Sequence, residues 1–143
     1  MIRQLDSRVS VAPQIAPGDL AEAVRAGFVA VVNNRPDGEE PGQPAGATIA
    51  EAARAVGLAY HEVPVGHAGL SREQIDEMAR LLEQADGPVL AYCRSGTRST
   101  TLWALARATL GDSPDRLVAA AAAAGYDLER MRPTLAALAA AEL

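Results

Sequence analysis

The stretch AYCRSGTRST, residues 91–100, holds the only cysteine of the chain, and two arginines and a glycine follow it within five positions. A free thiol is a slow nucleophile at neutral pH because its ordinary pKa is about 8.5. Three features here favour the thiolate. The loop Arg94-Ser95-Gly96-Thr97-Arg98 can turn successive backbone N–H groups towards one point, an anion-binding nest. A helix read as starting at Ser99 presents its positive dipole end to that point. The forked guanidinium of Arg98 can grip an anion at two points, and Gly96 supplies the backbone freedom that a tight curl demands. Taken singly, each feature has a bland explanation: an inert buried cysteine, solvated arginines, a serine that only caps a helix. Taken in order, a strand, a cysteine, a glycine loop with arginine and a helix start describe a reactive site. Cys93 and Arg98 are the expected catalytic residues, with Arg94, Ser95, Gly96, Thr97 and Ser99 lining the anion site.

The elements needed to position these residues can be read along the chain. Residues 2–5 and 8–12 alternate around Asp6-Ser7 and predict a hairpin. APGDLAEAVRAG predicts a helix closed by Gly27, with Leu20, Ala21 and Val24 on its inner face. FVAVVN is a continuous β-rich run, as in a strand covered on both faces. NRPDGEEPGQPAG is dense in Pro, Gly and charge and reads as a loop, before a second helix over residues 47–57. LAYHEVPV (58–65) predicts a strand. Ser71 opens a helix, with Gln74 at capping-box spacing and Ile75, Met78, Ala79 and Leu82 as the inward stripe. VLAY is a buried strand ending just before Cys93, and residues 99–110 have helical composition. Ser113-Pro114 and Asp127 open two further helices through the alanine-rich tail, the last to about Leu138. Trp103 on the cysteine helix is expected in the core.

Strands alternating with helices imply an α/β fold with a mainly parallel central sheet flanked by helices, in one domain over residues 1–143. Ligands of such sheets bind at the carboxyl ends of the strands, which is where Cys93 falls. Asn33, Asn34, Arg35 and Asp37 follow a buried strand at that same end, so Asn34, Arg35 and Asp37 are candidate pocket residues. His67, in a glycine-flanked loop, is another.

Composition narrows the partners. The net charge of −5 and the lack of a basic stripe argue against nucleic-acid binding. The N-terminus has no continuous apolar run and predicts neither a signal peptide nor a membrane anchor, so a cytoplasmic location is expected. One cysteine cannot form an internal disulfide, and with His61 and His67 it makes a poor metal site. No metal or cofactor is implied.

CRSGTRS together with the upstream NNRPDGEEPGQP resembles a small bacterial domain family found alone or fused to metallo-β-lactamase-like persulfide dioxygenases. Its members are described both as protein-tyrosine-phosphatase-like and as rhodanese-like sulfurtransferases. The resemblance covers nearly the whole chain and implies a three-layer fold like that of dual-specificity phosphatases, and a persulfide dioxygenase as partner. NNRPDGEE is specific to this family, whereas CRSGTRS is shared more widely among rhodanese-like proteins. Tyrosine phosphatases carry His-Cys, five residues, then Arg and Ser or Thr. Here Tyr92 stands in the histidine's place and four residues separate Cys93 from Arg98, the rhodanese spacing. The aspartate acid of dual-specificity phosphatases follows the strand matching HEVPV, where this chain has Gly66-His67-Ala68-Gly69. Asp37 and His67 are the substitutes at hand.

Sulfur transfer needs no such acid, because its leaving group departs as an anion. The leading expectation is a sulfurtransferase. Cys93 would take sulfane sulfur from thiosulfate or a small persulfide, with Arg94 and Arg98 on the anionic donor, and pass it to an external thiol or cyanide. The rivals are a cysteine phosphatase working through phosphocysteine and a non-catalytic persulfide- or oxyanion-binding module. An arsenate reductase ranks below them, since no resolving cysteine is present.

Overall fold

Five strands form in the computed structural model, which describes residues 1–142: β1 (Arg3–Gln4), β2 (Val9–Ala12), β3 (Ala30–Asn33), β4 (Ala59–Glu62) and β5 (Val89–Tyr92). They make one sheet in the order β1-β2-β5-β3-β4. Only β1 is antiparallel, paired with β2 in the expected hairpin, while β2–β5, β5–β3 and β3–β4 are parallel. Asp6 shapes the hairpin turn, its Oδ1 accepting from the backbone N–H groups of Arg8 and Val9 at 2.7 Å each. Every residue of the central strands β3 and β5 is buried, as continuous apolar runs covered on both faces require.

Six helices cover the two faces: α1 (Asp19–Arg25), α2 (Gly46–Ala55), α3 (Arg72–Gln84), α4 (Thr97–Thr109), α5 (Pro114–Ala123) and α6 (Arg132–Glu142). Strand side chains alternate between faces, so each strand feeds two cores. Val31, Leu90 and Tyr92 pack with Leu20 of α1 and Ile49 and Ala53 of α2. Val11, Val32 and Ala91 pack on the opposite face against α3, α4, α5 and α6, through Met78, Leu102, Leu117 and Leu135. The result is the expected three-layer α/β architecture with a mostly parallel sheet. Trp103 lies in the second core with its Nε1–H donating to Asp6 Oδ2 at 3.0 Å. The capping box of α3 is present in both directions, and Ile75, Met78, Ala79 and Leu82 are its buried stripe.

Three boundaries and one buried face differ from the sequence reading. Helix α4 starts at Thr97 rather than Ser99, because Gly96 adopts a left-handed conformation (φ +92°) and ends the loop there. α1 buries Leu20 and Ala23 and leaves Val24 41% exposed. β4 stops at Glu62, although Val63 and Val65 still donate to the Asn33 and Asn34 carbonyls; Pro64, between them, has no N–H to give. The last segment is a short 3₁₀ turn over Glu129–Met131 followed by α6, and Asp127 caps the turn by accepting from the N–H of Glu129 at 2.9 Å.

Asn34, fully buried just past β3, ties the site-forming end of the sheet together. Its N–H donates to the Tyr92 carbonyl of β5 and its C=O accepts from Val65. Its Nδ2 donates to the Val63 carbonyl and its Oδ1 accepts from Ser99 Oγ of α4. Replacing Asn34 with Ala leaves the Val63 carbonyl and the Ser99 hydroxyl without partners in the interior. Unpaired buried groups cost about 1–3 kcal/mol each, so N34A is expected to lower unfolding stability by about 3 kcal/mol in urea titration. A loss below about 1 kcal/mol would mean the side-chain bonds do not carry the junction.

Candidate active site

Cys93 follows β5 directly, and its N–H donates to the Ala12 carbonyl at 3.3 Å. The residue is fully buried. Gly96 returns its own N–H to Cys93 Sγ at 3.1 Å, so the loop folds back onto the sulfur. That curl depends on glycine twice. φ at Gly96 lies in the left-handed region, and a Cβ there would sit 2.2 Å from the hydroxyl oxygen of Tyr126. Beyond it, Thr100 anchors the first turn of α4, donating to the Gly96 carbonyl through its N–H (2.9 Å) and its Oγ1 (2.8 Å). Arg94, Ser95 and Thr97 form the exposed outer rim.

Arg98 projects from the first turn of α4 to Glu39, in the loop after β3, with which it makes a two-point ion pair: Nη1 to Oε2 at 2.7 Å and Nη2 to Oε1 at 2.8 Å. Its Nη1 also donates to the Val65 carbonyl at 2.7 Å. These bonds use three of the five guanidinium N–H groups. The Nε–H and the second Nη2 hydrogen are left over by Glu39 and Val65, and the guanidinium also lies within hydrogen-bonding reach of the Cys93 sulfur. Behind Glu39 lies Arg35, only 2% exposed, whose Nε donates to Glu39 Oε1, Nη2 to Glu40 Oε1 and Nη1 to Gln14 Oε1.

The charges of this cluster hold one another. The bonds from Arg98 bring the Glu39 carboxyl down to about 2 against the opposing effect of burial, with Arg35 adding to the pull. Arg98 is held more strongly protonated, chiefly by Glu39, with Cys93 contributing. Burial works against the charge on Arg35, but its bonds to Glu39 and Glu40 outweigh that cost.

Two of the expected pocket residues serve the framework. Asn34 is the buried junction described above, and Ser99, also buried, gives its hydroxyl to Asn34 rather than capping α4. Arg35 is buried behind Glu39. Asp37 is exposed and accepts the N–H of Gly46 at the start of α2 at 2.8 Å. His67 is an exposed loop residue whose Nε2 lies 3.7 Å from Glu39 Oε2, and Arg94 Nη2 stands 3.8 Å from Glu40. The sequence reading missed Glu39 and Tyr126. Glu39 belongs to the singled-out NNRPDGEE loop, but its partner lies 59 residues away. Tyr126 follows the helix-ending Gly125 and carries no local signal. Among the described residues, no group of three or more His, Cys, Asp or Glu is placed to hold a metal ion, and no helix is long and apolar enough to cross a membrane.

A folded-state carboxyl pKa below the unfolded value stabilises the fold above the unfolded pKa, and the contribution disappears as pH falls through the folded one. For Glu39 that window runs from about 4.5 down to about 2. The shift corresponds to on the order of 3 kcal/mol. Unfolding free energy measured from pH 6 to pH 2 should fall over this window, and E39Q should be less stable at pH 6 and flatter below pH 4.5. An unchanged acid limb in E39Q would show that Glu39 does not carry the linkage.

Residues 1–110 match the model of the phosphatase-like domain of beta-lactamase hydrolase-like proteins. A beta-lactamase hydrolase-like protein of Xylella fastidiosa strain Temecula1 is 35% identical over 130 residues, which is 90% of this chain and 30% of that protein. The chain thus spans about a third of the length of the curated relatives it matches. The crystal structure of a candidate phosphatase of Neisseria meningitidis Z2491 superposes with a TM-score of 0.82 at 35% identity, covering 96% of this chain and 97% of the other. A mutant form of Tk-PTP superposes with a TM-score of 0.74 at 25% identity, covering 98% and 95%. With the cysteine loop built as described, the chain belongs to the phosphatase-like domain family of the beta-lactamase hydrolase-like proteins.

Proposed function

We propose that this domain is a cysteine-dependent phosphatase for aryl phosphate monoesters. The observation that carries the reading is the pairing, in a phosphatase-like family member, of a sulfur that receives the Gly96 N–H with an arginine beside it whose Nε–Nη2 edge is not taken by Glu39 or Val65. Cys93 Sγ attacks phosphorus. An S–P bond forms while the P–O bond to the leaving group breaks and its electron pair leaves on that oxygen. Water then attacks the phosphocysteine, losing a proton to solvent, and the S–P bond breaks to release phosphate and return the thiolate. The loop N–H groups and Arg98 stabilise the charge that gathers on the equatorial oxygens.

The leaving-group side sets the substrate class. A general acid is worth roughly 10²–10⁴ in rate. Glu39, ionised and bonded to Arg98, cannot donate a proton, Asp37 is engaged at α2, and His67 stands on the exposed loop with its Nε2 facing Glu39 at 3.7 Å. Aryl esters, whose phenoxides depart without protonation far more readily than alkoxides, suit such a site. A groove of about 430 Å³ beside Arg98, lined in part by Val65, Leu70, Ile75, Leu105 and Met131, offers the ring an apolar seat.

Sulfur transfer is the second reading, favoured by the four-residue interval between Cys93 and Arg98 and by the same lack of an acid. Cys93 would bond to the outer sulfur of thiosulfate, sulfite would leave with the electron pair of the old S–S bond, and an external thiol would collect the sulfur. The sequence by itself ranks this chemistry first; family membership and the 35%-identical candidate phosphatase support the reverse order.

Purified protein and its C93S variant, each given p-nitrophenyl phosphate, an alkyl phosphate, and thiosulfate with cyanide, separate the two. The expected outcome is Cys93-dependent nitrophenol release, at least about 100-fold faster than alkyl ester cleavage. Thiocyanate formation without phosphate release would instead establish sulfur transfer. A stable one-sulfur mass gain, without turnover of either substrate, would point to a binding module.

A further inference from the structure

We infer that Tyr126 is a positioning residue for the Cys93 sulfur, acting through the single peptide group that joins Ser95 to Gly96. The Tyr126 hydroxyl donates to the Ser95 carbonyl at 3.1 Å. The N–H of that same peptide, on Gly96, donates to Cys93 Sγ at 3.1 Å. A trans peptide is planar, with its C=O and N–H pointing in opposite directions, and the described chain has no cis bond. Fixing the carbonyl at one end therefore aims the N–H at the other.

Such a clamp matters at this peptide in particular. Glycine accepts either sign of φ at little cost, so the Ser95–Gly96 plane is the one in the loop most free to flip its N–H away from the sulfur. The hydroxyl rests against the bare Cα of Gly96, where any Cβ would collide with it. Hydrogen bonds in a chain also polarise one another, so a donor on the carbonyl strengthens the N–H offered to the thiolate.

Tyr126 is itself held firmly. Its N–H donates to the Ala121 carbonyl at 2.8 Å, and Arg3 Nη1 donates to the Ala124 carbonyl of the same turn at 3.2 Å. Burial raises the phenol's pKa, with the charge of Cys93 adding to it and Arg3 opposing, so the hydroxyl keeps the proton it donates. The residue lies beyond position 110, where the match to the family model ends. The clamp is thus supplied by the C-terminal segment of this chain.

The inference rests on Cys93 being the nucleophile of the proposed reaction, but its test reads the thiol and the amide without a substrate. Failure of the phosphatase assay would leave it standing. The groups that bear on the sulfur are Arg98 from α4 and Tyr126, with Glu39 behind Arg98 and Arg3 behind Tyr126. Y126F leaves the other three in place. Parent and Y126F are compared by the amide resonance of Gly96 in ¹⁵N-labelled protein, and by the pH profile of Cys93 alkylation with iodoacetamide, each profile normalised to its own high-pH plateau to remove changes in access.

In Y126F the Gly96 amide proton should shift and exchange faster. The alkylation profile should move to higher pH by roughly one unit, a tenfold change at a fixed pH on its rising part, the size expected for loss of one charge-assisted hydrogen bond. An unmoved Gly96 resonance with superimposable profiles would overturn the assignment. If Y126F does not fold by circular dichroism, the parent decides: Gly96 must exchange more slowly than Arg94 and Ser95, and equal rates overturn it.

Discussion

One carboxylate, Glu39, sets the geometry of the site. It lies in a loop rich in proline and glycine that has little apolar surface of its own to bury, and it is shared by two arginines from different parts of the chain. Removing one member of a buried ion cluster leaves charge uncompensated, at a typical cost of about 3–5 kcal/mol, so the loop after β3 and the start of α4 are fixed together. The pair also decides which part of Arg98 is offered. Glu39 and the Val65 carbonyl occupy both hydrogens of Nη1 and one of Nη2, so the remaining donors lie along the Nε–Nη2 edge. An incoming anion can use that edge without displacing Glu39.

The same cluster limits how much charge the site accepts. Arg35, Arg94 and Arg98 face Glu39 and Glu40, three positive charges against two negative. A Cys93 thiolate neutralises the excess. A phosphate dianion then has only the loop N–H groups and the end of α4 to balance it, and the latter is worth about half a charge. At an effective dielectric near 20, each uncompensated unit charge at 4 Å costs about 4 kcal/mol. The electrostatics therefore favour a singly charged reactant: the monoprotonated phosphate ester on the proposed phosphatase reading, and a small persulfide rather than dianionic thiosulfate on the sulfur-transfer one. The two chemistries are separated by leaving group and loop length more than by anion affinity.

What the sequence made legible was local. The continuous β-rich runs, the Ser71–Gln74 capping box, the hairpin at Asp6-Ser7 and the strand–cysteine–glycine–helix order each act over a few residues, and each is found in the fold. Pairings across the chain were not legible. NNRPDGEE stood out as a loop, and Asp37 was the carboxylate singled out there, yet the side chain that reaches Arg98 belongs to Glu39. No periodicity links residue 39 to residue 98 or residue 126 to residue 95. Ser99 suggests a pocket residue because it is polar and close to the cysteine in sequence, and Asn34 because it follows a buried strand at the same end of the sheet. Burial makes them structural, since a polar pair inside the protein must satisfy itself.

Loop length and Glu39 are coupled through this framework. In the longer tyrosine-phosphatase motif the arginine falls six positions after the cysteine, which here is Ser99. That position points inward, and its hydroxyl is bonded to Asn34 at 2.8 Å. An arginine there would break the junction between β3, β5 and α4. With the loop one residue shorter, the guanidinium comes from Arg98, the second residue of α4 and 20% exposed at its side chain, outside that junction. From there it must be drawn back across the loop, and Glu39, held by Arg35 and ionised over the whole neutral range, does so. The short loop thus requires a carboxylate in the loop after β3, a need that the longer loop does not impose by this geometry. CRSGTRS and the Glu39 of NNRPDGEE are joined into one structural unit.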